Sequence, residues 1–161
     1  MSRAKHKPRG LLRCVLRLPI WLYRLRLGWL LGERFLLLTH IGRTTGRPRH
    51  TFLEVLRRDR VTETYIVASG WGMHSDWWRN IQHNPDVTIT VGGHKRPAHA
   101  TCLSITEGAQ ELWEYAQRHP RAFRVLTSVL TGQRMRGTAE RCHEFAQSVP
   151  IIALRPRNVP S

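Results

Sequence analysis

Residues Asp86-Val87-Thr88-Ile89-Thr90-Val91 alternate between apolar and polar and run straight into Gly92-Gly93. Alternation at period two marks a strand with one buried face. Paired glycines supply the backbone freedom that a tight hairpin needs. The chain should therefore double back, and a fifth strand follows over residues 95–103. Other strand-like runs precede and follow this hairpin: Phe35–Ile41, residues 51–57, residues 64–69 and, near the end, residues 151–154. Helical patterns occupy the intervals. Residues 76–83 open behind an N-cap candidate, Ser75. Residues 106–118 start at Thr106-Glu107 and place Ala109, Leu112, Trp113 and Ala116 on one face; 121–130 and 139–147 follow. Residues 132–137 form a basic loop. Strands joined by hairpins do not make a Rossmann pattern, in which strands alternate with crossover helices. The expected fold is a small antiparallel barrel with helices around it.

A chain of 161 residues with 41% hydrophobic content is long enough for one domain with a real core. Its formal net charge of +15 calls for an anionic partner: nucleic acid, anionic lipid or a polyanionic small molecule. The charge is uneven. Residues 1–34 hold nine Lys/Arg against one acid, a net +8. Residues 1–10 read as a basic arm, and residues 11–31 as a helix interrupted by Arg13, Arg17, Arg24 and Arg26, with Pro19 as a start or kink. No uncharged run approaches the ~20 residues of a membrane span, and a signal peptide fits poorly. Such a helix either lies on anionic lipid or packs on the body with its arginines in water. The three cysteines, Cys14, Cys102 and Cys142, are far apart, which argues against a disulfide framework and for a reducing, cytoplasmic compartment. No paired Cys or His spacing predicts a metal site.

Between the first two strands stands Gly42-Arg43-Thr44-Thr45-Gly46-Arg47-Pro48-Arg49-His50-Thr51. Glycines let backbone N–H groups approach a ligand, hydroxyls donate hydrogen bonds, and guanidinium groups pair bidentately with carboxylate or phosphate. This is the chemistry of an anion cradle. A solvated, arginine-rich hairpin loop has the same composition.

A second constellation follows the third strand: Ser69-Gly70-Trp71-Gly72, then Asp76-Trp77-Trp78-Arg79-Asn80 and Asn84-Pro85. Three indoles beside two glycines, with Ser69 and Asn80 as polar handles, suit a planar ligand. Packing alone would put Trp77 or Trp78 in the core. Nucleophilic catalysis has little support, because no Gly-x-Ser-x-Gly elbow exists and paired carboxylates are absent.

Taken together, the stretches 36–49, Val67-Ala68-Ser69-Gly70-Trp71-Gly72, Asp76-Trp77-Trp78-Arg79-Asn80 and Asn84-Pro85-Asp86-Val87 resemble the deazaflavin-dependent nitroreductase family. The resemblance spans roughly residues 18–155. It implies an α+β fold, a flavin-reductase-like antiparallel split β-barrel with surrounding helices, placed over residues 35–157, and the residues themselves put a basic N-terminal arm and helix over 1–34 ahead of it. It also implies coenzyme F420, a deazaflavin with a phosphate and an oligoglutamate tail; FMN fits less well. Arg43, Thr44, Thr45, Gly46, Arg49 and Thr51 would hold the anionic chain. Ser69, Gly70, Trp71, Gly72, Trp77, Trp78 and Asn80 would flank the ring. Deazaflavin carries hydride, so the protein has to position and shield it.

One departure bears on substrate. Nitroreductase members of that family place tyrosines in the C-terminal helical segment, whereas residues 116–124 here contain none after Tyr115. His119 is a candidate proton donor in that stretch, with water as the alternative. The resemblance thus implies an oxidoreductase that passes hydride from reduced F420 to a lipophilic acceptor, a quinone, enone or nitro compound. The rival readings are a deazaflavin-binding protein without turnover and a basic membrane-surface module. Nucleic acid is not an expected partner, since the tryptophans cluster near glycines and do not interleave with Lys/Arg. A homodimer and a peripheral position on the inner face of the cell membrane stay open.

Overall fold

The computed structural model describes residues 32–70 and 72–157. Residues 1–31, which hold the expected basic arm and helix, and Trp71 lie outside these. Six strands form a closed barrel: β1 (Phe35–Ile41), β2 (Pro48–Arg58), β3 (Tyr65–Ala68), β4 (Asp86–Val91), β5 (His94–Cys102) and β6 (Ile151–Pro156). The order around the barrel is β1-β2-β3-β6-β5-β4, and every neighbouring pair is antiparallel. Closure leaves no open sheet edge. Among the described residues four α-helices complete the α+β split barrel: α1 (Asp76–His83), α2 (Ile105–Arg118), α3 (Pro120–Thr131) and α4 (Ala139–Ser148).

Alternation decides what faces inward. Leu36 and Leu38 of β1, Leu53 and Val55 of β2, and Val87 and Ile89 of β4 meet inside the barrel. Helix α1 joins the same cluster through Trp77, Trp78 and Ile81, so its apolar face packs into the barrel core. Strands β3 and β6 are buried on both faces, which explains why they read as continuous apolar runs. Their inner residues, among them Val67, Ile152 and Leu154, belong to the barrel core. Their outer residues Ile66, Ala68, Ile151 and Ala153 pack against Leu112 and Ala116 of α2, Phe123 of α3, and Cys142 and Phe145 of α4.

Two expectations need correcting. Strand β2 begins at Pro48, three residues early, because the β1–β2 ladder stays in register to Ile41↔Pro48. Pro48, Arg49 and His50 are therefore strand residues and not loop, while Thr51 lies in the strand as expected. Helix α2 starts at Ile105 behind Ser104. The Ser104 hydroxyl accepts from the Glu107 backbone N–H at 3.2 Å, and the Glu107 carboxylate accepts from the Ser104 backbone N–H at 2.9 Å, a capping box. The buried face of α2 is correspondingly Gly108, Leu112, Tyr115 and Ala116, while Trp113 stays exposed. Gly108 allows this rotation, since a Cβ there would sit 3.0 Å from the Ile151 side chain.

Candidate functional site

The β1–β2 turn, the first residues of β2 and the start of α1 line a cleft of about 350 Å³. Its walls are His40, Gly42, Arg43, Thr44, Thr45, Arg49, His50, Thr51, Asp76, Trp77 and Asn80. Strand geometry delivers the first set. His40 continues the inward series Leu36, Leu38, and Arg49 stands opposite it across the ladder. Thr51 follows two residues on from Arg49, on the same side as Leu53 and Val55.

The turn itself is tightly closed. Gly42 N–H donates to the Arg47 carbonyl at 2.9 Å, and Gly46 N–H donates to the Gly42 carbonyl at 2.7 Å. Gly46 has φ +63°, and a Cβ on Gly42 would lie 2.7 Å from the Thr45 hydroxyl oxygen. Both glycines are thus demanded by the turn.

Helix α1 supports this turn from the side. Asn80 Oδ1 accepts from the Arg43 backbone N–H at 3.1 Å and from Arg43 Nη1 at 3.0 Å. Arg43 also pairs with the Asp76 carboxylate at 3.3 Å through Nη1 and Nη2. Much of the Arg43 guanidinium is therefore spent on holding the turn to the helix. Arg49 differs: among the described residues it forms no ion pair, and it is exposed at the mouth of the cleft. Arg47 is exposed as well but does not line the cleft.

His40 is 3% exposed and faces Asn80, with 3.1 Å between His40 Nδ1 and Asn80 Nδ2. Burial, together with the nearby His50 and Arg49, pulls its pKa down to about 4 against the opposing pull of Asp76. His40 is therefore a neutral ring throughout the physiological range. His50 lies outside that pair and shares a 3.0 Å hydrogen bond with the Thr39 hydroxyl.

Of the residues expected from sequence, Arg43, Thr44, Thr45, Arg49, Thr51, Trp77 and Asn80 come together in this cleft. Gly46 shapes the turn without lining the cleft. Trp78 does not reach the cleft. Like Trp77 it is 6% exposed and packs in the barrel core, but consecutive helical residues point in different directions, and of the two only Trp77 also lines the cleft. Ser69 is fully buried, and its hydroxyl donates to the Gly72 carbonyl at 3.1 Å and shares a 2.8 Å bond with Ser75. That hydroxyl is thus used within the turn, and Ser75 caps α1 by position without a side-chain cap bond. Gly70 lies under α3, where an added Cβ would be 3.1 Å from Leu130. Gly72 packs so close to α4 that its Cβ would meet the Ser148 carbonyl at 2.7 Å. His119 is exposed at the α2–α3 junction, its ring 5.5 Å from that of Tyr115, and does not line the cleft. Among the described residues no three His, Cys, Asp or Glu side chains gather as metal ligands.

His40 was missed by sequence reasoning. The signal was present, since it holds the third inward position after Leu36 and Leu38. A polar residue at an inward barrel position is where a site should be sought.

Comparison with known proteins fixes the lineage. The F420H(2)-dependent quinone reductase family matches residues 17–131. The chain belongs to that family. As a member of the F420H(2)-dependent quinone reductases it is an F420H2-dependent oxidoreductase, with coenzyme F420 as its cofactor. A Mycobacterium tuberculosis protein, Rv3178, is provisionally named for the same activity. It is 30% identical over 126 residues, which cover 76% of this chain and 89% of the relative. Among solved structures, an F420-H2 dependent reductase, FDR-A, superposes with a TM-score of 0.51 at 18% identity, over 77% of this chain and 96% of that one. The heme storage protein HutZ from Vibrio cholerae superposes with a TM-score of 0.55 at 14% identity, over 85% and 90% of the two chains. These two likenesses concern the fold.

The cleft's donor set suits the family's cofactor. Guanidinium groups, threonine hydroxyls and a glycine turn in which a Cβ would clash all favour a phosphate and carboxylates over an apolar ligand.

Proposed function

We propose that the cleft between the β1–β2 turn and α1 binds the anionic chain of F420, and that the protein uses the reduced cofactor to reduce a lipophilic organic acceptor, with quinones ahead of enones and nitro compounds. The observation that carries this reading is the exposed Arg49 guanidinium at the mouth of a cleft also lined by Thr44, Thr45 and Thr51. When bound, the reduced deazaflavin supplies the hydride. The chain's own residues bind and orient. Arg49 pairs with phosphate or carboxylate oxygens, the threonine hydroxyls donate to the remaining oxygens, and Arg43, tied to Asn80 and Asp76, fixes the turn. Trp77 forms an apolar wall on the α1 side. His119 has no part in this reading, and the proton comes from solvent.

Fluorescence titration of the full chain with F420 and with FMN in one buffer tests the binding half. Several carboxylates should favour F420, and tighter FMN binding would sink it. Oxidation of F420H2 against a panel of quinones, enones and nitro compounds tests the acceptor half. Tight binding without turnover on any acceptor would favour the sequestering role.

Residues 1–34 carry a net +8 with interleaved Leu, Ile and Trp, which supports peripheral association with anionic bilayers. Among the described residues no helix is long and apolar enough to cross a membrane. Co-sedimentation with phosphatidylserine vesicles at low salt checks this association. A full chain that stays in the supernatant would refute it.

A further inference from the structure

The Asn80 amide is a bridge with a fixed direction. On one side it meets the Arg43 backbone nitrogen at 3.1 Å and Arg43 Nη1 at 3.0 Å, and on the other it meets His40 Nδ1 at 3.1 Å. Both Arg43 groups can only donate, so the amide oxygen must face them. The amide NH2 must then face His40, and an NH2 group only donates. His40 Nδ1 is consequently the acceptor, and its proton sits on the other ring nitrogen. The His40–Asn80 pair is enclosed, with His40 3% and Asn80 4% exposed.

We propose that His40 is a positioning residue for cofactor binding: its bare Nδ1 holds the Asn80 amide one way round, and that amide holds Arg43 and the β1–β2 turn in anion-binding shape. The proposal rests on the reading that the cofactor's anions occupy this cleft. The groups facing His40 are Arg49 and His50 from β2 and Asp76 and Asn80 from α1. Arg49 and His50 oppose a proton on the ring and Asp76 favours one; with burial, the balance keeps Nδ1 bare. A ring that carried a proton on Nδ1 would set N–H against N–H2. Asn80 would have to turn over, presenting its NH2 to the two Arg43 donors, and the turn would lose its support.

Long-range proton–nitrogen NMR spectra of the full chain without cofactor read the tautomer directly. The expected result is an unprotonated Nδ1 on His40 at neutral pH, and a protonated Nδ1 would overturn the proposal. Fluorescence titration with F420 then compares three variants. His40→Gln offers an acceptor oxygen to Asn80 and should keep the affinity within about threefold of wild type. His40→Leu fills the space without an acceptor and His40→Met with only a weak thioether acceptor, and both should lose about tenfold, the scale of one misdirected hydrogen bond. Thermal midpoints are measured beside each titration, since a purely structural role would weaken all three variants alike. Wild-type affinity in a folded Leu or Met variant overturns the proposal and leaves the functional reading intact. Loss of folding in both of them, or equal weakening in the Gln variant, would make His40 a structural residue and also overturns it. If the wild type itself does not bind F420 although the tautomer is as expected, the functional reading has failed and takes the proposal with it.

Discussion

The Tyr115 phenol donates to Glu54 Oε1 at 2.7 Å, joining α2 to the outer side of β2. Glu54 also pairs with Arg34 at 3.5 Å, so one carboxylate ties the start of the described chain, the barrel wall and the helical layer. Tyr115→Phe should cost about 1–2 kcal/mol at neutral pH, because it leaves a half-buried carboxylate one partner short. Burial and the Glu54 bond raise the Tyr115 pKa above its ordinary value. A raised folded pKa gives stability that is full below the unfolded pKa, near 10, and is lost as pH rises beyond it. The difference in urea stability between wild type and Tyr115→Phe should therefore shrink between pH 9 and about pH 11. An unchanged difference would contradict the phenol's role.

His40 gives the opposite pH sign. Its folded pKa of about 4 lies below the ordinary value of 6.5, so the unfolded chain binds the extra proton. The contribution is intact above pH 6.5 and is lost as pH falls towards 4. Wild type should lose up to roughly 2–3 kcal/mol over that window relative to His40→Gln. Chemical denaturation of both proteins at pH 7 and at pH 4.5 reads it out, and parallel losses would disprove it.

Arg49→Ala should weaken F420 binding by about 1–3 kcal/mol, the range for one charge-assisted contact. The fold should persist, since Arg49 makes no ion pair among the described residues and its side chain stands at the mouth of the cleft. Circular dichroism and a fluorescence titration decide the matter together. Unchanged affinity in a folded variant would return the turn to a merely solvated role.

Gly46 and Gly72 both have positive φ, +63° and +61°, yet they differ in surroundings. A Cβ at Gly46 meets nothing within 4 Å, whereas at Gly72 it meets the Ser148 carbonyl at 2.7 Å. Gly46→Ala should cost only the left-handed backbone penalty, about 1–2 kcal/mol. Gly72→Ala should cost clearly more, since backbone of α4 must also move. Equal urea midpoints for the two variants would refute the close approach.

The sequence carried the barrel well because its cues were local. Asp86–Val91 with Gly92-Gly93, and Phe35–Ile41 before Gly42, specify strand and turn within a dozen residues. The site was legible where its residues are adjacent in sequence, as from Arg43 to Thr51. It was not legible where function depends on which atoms meet. Nothing in the composition distinguishes Arg43, tied to Asp76 and Asn80, from Arg49, which forms no ion pair among the described residues. Trp77 and Trp78 are likewise neighbours in sequence, and the helical rotation between them sends only Trp77 to the cleft. Ser69 looked like a ligand handle, but its partner Ser75 comes from the next turn of chain.

Strands β3 and β6 form one wall common to two hydrophobic centres. Neither centre can lose its packing without stripping the other of this shared wall, so the described residues offer no natural seam along which to come apart. Denaturation should behave as a single cooperative event. In a chain whose other four tryptophans are replaced by Phe, indole fluorescence from Trp77 and Trp78 on one side of the wall, and loss of helical dichroism, to which α2 to α4 on the other side contribute, should then share one midpoint. The same coupling limits how the lineage can vary. Helices α2 to α4 supply no residue that lines the cleft, but a substitution that loosens them is felt through Val67 and Ile152 at the core on which α1 rests.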